Sequence, residues 1–117
     1  MTDTNALLHV LEGLRLRQMT ATYKTVAEAI GLTPPGQIQA LAMLLEAVQE
    51  DDARLGRPQR AALVIQNGKD PIPRPGFFQQ LVALGVYQGR DRGAEAAMWH
   101  QNEIERLYDP ASAANSS

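Results

Sequence analysis

Residues 22–39 read Thr22-Tyr23-Lys24-Thr25-Val26-Ala27-Glu28-Ala29-Ile30-Gly31-Leu32-Thr33-Pro34-Pro35-Gly36-Gln37-Ile38-Gln39, a helical pattern broken once and then resumed. Val26, Ala29 and Ile30 share one side of a short helix over 22–30, and Gly31 follows where a left-handed residue ends a helix. Thr33-Pro34-Pro35-Gly36 then breaks the chain, because proline fixes φ and pushes the residue before it out of the helical region. Proline also suits the first turn of a new helix, so the break that stops one helix starts the next, with Thr33 as its expected cap. The order is helix, turn, helix.

The helix that follows, 35–52, is the longest. Ile38, Leu41, Ala42, Leu45 and Val48 form its inner stripe, while Ala40, Met43, Leu44 and Ala47 make its middle apolar nearly all round. A helix wetted on one face does not carry that pattern, so this one is read as the centre of the core, with Ala40, Met43, Leu44 and Ala47 as a candidate subunit interface. Upstream, Leu7, Leu11 and Leu14 repeat at helical spacing over 4–19. Downstream, Ala61-Ala62-Leu63-Val64-Ile65 reads as the one convincing strand, followed by Asn67-Gly68 and a return rich in proline (Pro71, Pro73, Pro75) that fits a wing-like loop better than a paired strand. Phe77, Phe78, Leu81 and Leu84 mark a short helix over 76–84 closed by Gly85; since neighbours on a helix point apart, one phenylalanine is expected inside and the other over the long helix or against a partner. A last helix over 93–108 carries Ala97, His100, Ile104 and Leu107 on one face. The fold class is therefore mostly α: a small winged helix-turn-helix-like domain over 1–108 with about five helices and one short strand or wing, then a disordered tail over 109–117.

The chain has 117 residues, enough for a single core, and 11 Lys and Arg against 13 Asp and Glu give a net charge of −2, which removes whole-chain basicity as a reason to expect nucleic acid. The charge is unevenly placed. Glu46, Glu50, Asp51 and Asp52 make the end of the long helix acidic, which is unfavourable there unless a cation answers, and Arg54, Arg57 and Arg60 are the nearest. Residues 53–92 hold seven Lys and Arg against two Asp and Glu and form the only candidate anion footprint. Two uses of these arginines are open: to contact phosphates, or to neutralise the acidic segments on either side.

No cysteine is present, so disulfides, thiolate metal sites and thiol nucleophiles are excluded and a reducing cytoplasm is the expected setting. No apolar run is long enough to span a membrane, and none is expected as a partner. Ser112, Ser116 and Ser117 lie in the tail, where no base can be held beside them. His9 and His100 stand in separate helices, and neither gathers further ligands, so no metal is expected. The glycines are scattered at element ends, without the cluster that cradles phosphate. The expectation is a protein with no cofactor and no enzymatic activity.

The string Thr22 to Leu32, with Thr22-Tyr23 followed by Val26-Ala27 and Gly31, resembles the start of the winged helix in DNA alkyltransferases and alkyltransferase-like proteins. That resemblance implies a winged helix-turn-helix that reads duplex DNA, although the chain offers Gln37 and Gln39 where the family's reading helix has an arginine, and it lacks the family's Pro-Cys-His-Arg. Residues 22–108, through Leu44-Leu45-Glu46, Gly56-Arg57-Pro58, Ala61 to Val64 and Pro75-Gly76-Phe77-Phe78, are also similar to a group of short bacterial proteins without an assigned role, which implies a bacterial origin. On the DNA reading the contacts are Tyr23, Gln37, Gln39, Arg57, Arg60, Lys69 and Arg74, and the module is regulatory. On the alternative, the frame is a protein-interaction or accessory module that holds a protein partner, or a second copy as a homodimer, through the apolar helix or the basic proline-rich loop.

Overall fold

The computed structural model describes residues 3–69 and 71–109; the expected tail beyond Asp109 lies outside them. Helix α1 spans Asp3–Arg17 and buries Leu7, Leu11 and Leu14, the heptad-like row the sequence predicts. A two-residue strand, β1 (Ala21–Thr22), leads into α2 (Tyr23–Ala29). Thr22 is the cap of α2 and not its first residue: its Oγ1 accepts the Thr25 backbone N–H at 3.2 Å.

Helix α3 runs over Gln37–Arg54, two residues later than the reading of the prolines implies. Its cap is Gly36, at φ 83°, a left-handed conformation that only glycine takes without strain. Thr33 is exposed and four residues short of the helix, too far for its hydroxyl to reach the second or third helical N–H. Leu41, Leu45, Val48, Gln49 and Asp52 form the buried stripe, so two polar residues share the row with the expected aliphatics.

The expected strand over 61–65 is mostly something else. Arg60–Leu63 is a turn of 3-10 helix and only Val64–Ile65 is extended, as β2. Carboxylates hold this turn: the Gln59 N–H donates to Glu103 Oε2 at 2.7 Å and the Arg60 N–H to Asp52 Oδ2 at 2.9 Å, while the Ala62 N–H closes on the Gln59 carbonyl at 3.0 Å. Residues 61–64 are buried all round, which a short apolar run signals equally well for a strand or a buried turn. β2 pairs with β1 in parallel, Ala21 opposite Val64 and Thr22 opposite Ile65, so α2 and α3 form the crossover between two strands of which the sequence reveals one. After β2 the chain loops out through Asn67-Gly68, and the Gln66 N–H meets the Ile72 carbonyl at 2.9 Å to close the expected wing-like loop at its base.

Helix α4 (Pro75–Ala83) starts with proline in its first turn and ends at Leu84, where Gly85 takes φ 76°. Phe77 and Phe78 are both buried, and of the two places expected for the second ring, over the long helix or against a partner, Phe77 takes the first, beside Leu45 and Gln49 of α3. Both are covered by a second layer: the rings meet edge to face at 5.1 Å, Tyr87 returns to cover Phe78 at 5.5 Å, and Trp99 lies 5.9 Å from Phe77. Trp99 comes from α5, which spans Gly93–Tyr108 as the sequence predicts. Its buried face is Ala96, His100, Glu103 and Leu107; Ala97 is exposed and Ile104 half-buried, so the face is turned slightly from the expected one to bring Glu103 inside. α5 packs chiefly on α1 and on the 3-10 turn. Among the described residues no helix is long and apolar enough to cross a membrane.

Candidate functional site

The acidic end of α3 is answered from within the fold. Asp52 is fully buried, and its carboxylate receives Arg57 Nε at 3.2 Å, Arg60 Nη2 at 3.0 Å and the Arg60 backbone N–H. Arg54 pairs with Asp51 at 3.3 Å on the surface. All three arginines that the charge pattern nominates as counter-cations therefore serve as such. From α5, Glu103 is buried too; it accepts the Gln59 N–H and Arg106 Nη1 at 2.7 Å. Gln59 bridges inward, its Nε2 donating to the Gln49 carbonyl at 3.3 Å. His100 Nε2 lies 2.8 Å from the Ala62 carbonyl, so that nitrogen carries the proton; burial holds the imidazole pKa below its ordinary value, against the opposing pull of that carbonyl. Two carboxylates and a histidine thus clamp residues 57–62 between α3 and α5, and the alternation of signs along the sequence is the signature of this clamp.

This arrangement places the residues nominated for nucleic acid in three different settings. Arg57 and Arg60 are held by Asp52. Tyr23 is buried, and its hydroxyl accepts the Arg74 backbone N–H at 3.0 Å, fastening the start of α2 to the start of α4; burial pushes its pKa up to about 12. The ring is thus a core aromatic whose hydroxyl oxygen is anchored by a backbone N–H. Gln37 opens α3 half-buried, Gln39 is exposed on its first turn, Lys69 is exposed in the loop after β2, and the Arg74 side chain has no ion pair among the described residues. Gln37 and Gln39 belong to the start of α3, whereas Arg57 and Arg60 follow its far end, so α3 separates the two groups along its length.

The nominated interface residues of α3 also divide. Leu44 packs partly buried against the core and Ala40 is half-buried, whereas Ala47 is exposed and Met43 is 71% exposed. Glu46 and Glu50, also exposed, stand at helical spacing beside Met43 and Ala47, so the outer face is a narrow apolar strip edged by acids.

A groove missed by the sequence reading lies on the neighbouring face of α3. Tyr23, Ala42, Leu45, Glu46, Gln49, Arg74, Gly76 and Phe77 line it, with a volume of about 80 Å³. Leu45 and Phe77 make an apolar floor, and Gln49 reaches across, its Nε2 donating to the Phe77 carbonyl at 3.0 Å. Its sequence signal was available: Gln49 falls four residues after Leu45 and eight after Leu41, on the row that had to be buried. Compared with models of known families, with curated proteins and with solved structures, the chain finds no match in any of the three.

Proposed function

We propose that this domain is a non-enzymatic protein-interaction module that pairs with a second copy of itself through the outer strip of α3. The observation that carries the reading is that α5, the one helix free to cover that strip, packs instead on α1 and the 3-10 turn, leaving Met43 71% exposed beside the exposed Ala47. An apolar strip of this kind is stabilised by a symmetric partner that removes it from water. The alternative, a regulatory module on duplex DNA, loses support because two of its four basic contacts, Arg57 and Arg60, are engaged by a buried carboxylate.

The test is sedimentation at micromolar concentration of the parent chain and of Met43→Glu, a change at an exposed position that leaves the core untouched. The parent sediments as a dimer and the variant as a folded monomer. A parent that sediments as a folded monomer overturns the reading.

A further inference from the structure

The groove beside α3 holds four polar functions that the fold does not use. Gln49 is only 2% exposed, and because its Nε2 must face the Phe77 carbonyl, its own carbonyl oxygen is left to the groove, with no donor among the described residues. Tyr23 accepts the Arg74 N–H through its oxygen, and its O–H has no acceptor there; with its pKa pushed up to about 12 the phenol keeps that proton and can donate it. The Arg74 guanidinium and the Glu46 carboxylate line the same groove, and neither makes an ion pair among the described residues. One anion receptor and one cation receptor thus flank an apolar floor of Leu45 and Phe77.

We propose that this groove binds a free α-amino acid with a small apolar side chain, its carboxylate on Arg74 and Tyr23 and its ammonium on Glu46 and Gln49. The charge balance selects the zwitterion: a simple anion would face Glu46, and a simple cation would face Arg74, whereas a ligand carrying both charges on neighbouring atoms meets both. The side chain is set by the floor: a groove of about 80 Å³ over Leu45 and Phe77 offers a short apolar contact and no further polar partner beyond the four named. The inference does not rest on self-association, because every lining residue belongs to one chain.

Calorimetric titration of the full chain with L-alanine and L-valine tests it, with far-UV circular dichroism confirming that each variant is folded. Both amino acids bind, and Arg74→Gln or Glu46→Gln each weakens them about ten- to hundredfold, the worth of a charge-assisted hydrogen bond. Isovalerate and isobutylamine, which are valine without its ammonium and without its carboxylate, bind correspondingly worse. Absence of binding to the folded parent at millimolar amino acid overturns the proposal. So does glycyl-valine binding as tightly as valine, which would make the groove a receptor for peptide C-termini, or affinity unchanged in both folded variants.

Discussion

Replacing Asp52 by Asn removes the charge that organises residues 57–62 while keeping the shape of the side chain. The carboxylate is fully buried and takes Arg60 through its backbone N–H and guanidinium and Arg57 through Nε. An amide can present one oxygen to these donors, but its NH2 group then faces a guanidinium, so at least one donor loses its acceptor. Breaking a wholly buried ion pair costs about 3–5 kcal/mol. Here the Arg57 and Arg60 side chains retain 27% and 23% of their exposure and can turn partly to water, which lowers the expectation to about 2–3 kcal/mol. Against a total stability of about 5–15 kcal/mol that is a large loss. Urea unfolding followed through Trp99, the only tryptophan, reads it as a lower midpoint with an unchanged slope. Asp51→Asn is the internal control: one residue away, its pair with Arg54 is exposed on both sides, and the expected change is within about 0.5 kcal/mol. If Asp52→Asn unfolds at the same urea concentration as Asp51→Asn, the clamp does not hold this fold.

Three further changes probe separate parts of the molecule. Leu41→Ala empties a fully buried position at the centre of α3 and should cost about 2–5 kcal/mol in the same assay; a surface-like effect would misplace the core. Tyr23→Phe keeps the ring but leaves the Arg74 N–H without its acceptor, for an expected loss of about 1 kcal/mol, and hydrogen exchange at Arg74 should speed up; unchanged exchange there would contradict the bond. His100 has a pKa lowered in the fold, so the unfolded chain takes the proton first, near pH 6.5, and stability falls as pH drops from there toward the folded value. Urea midpoints at about pH 7.5 and 5.5 should therefore differ more in the parent than in His100→Gln, and equal differences would remove the histidine from the account.

The helices were largely legible because their burial follows a period: Leu7, Leu11 and Leu14 in α1, Leu41, Leu45 and Val48 in α3, and the ends of α5 residue for residue. What escaped was polar burial. The burial of Asp52 and Glu103 carries no hydropathy signal, because a carboxylate scores the same whether it meets water or an arginine, and the burial of Glu103 is what turns the inner face of α5 from Ala97 to Ala96. The same blindness hid the 3-10 turn, whose hydrogen-bond acceptors lie eight and 44 residues away in sequence. It also hid β1, since two residues carry no alternation to detect. The charge arithmetic did foresee which arginines would answer the end of α3, though not that answering it would take two of them from the candidate DNA contacts. The groove was invisible for a related reason: its residues are spread over α2, α3 and α4, and only the burial of Gln49 on the Leu41 row hinted at it.

Asp52 withdraws Arg57 and Arg60 from the candidate DNA footprint. Duplex DNA binding measured by fluorescence anisotropy across a salt series reads how many cations are left for phosphate. With Arg57 and Arg60 held by Asp52, only Lys69 and Arg74 remain of the four basic contacts. The slope of log affinity against log salt should then be no steeper than about −1.8, at about −0.9 per phosphate neutralised, with binding too weak to exceed the non-specific range. A slope near −3.6 with submicromolar affinity, from a protein whose circular dichroism is unchanged, would mean that all four cations reach phosphate and that Asp52 does not hold Arg57 and Arg60.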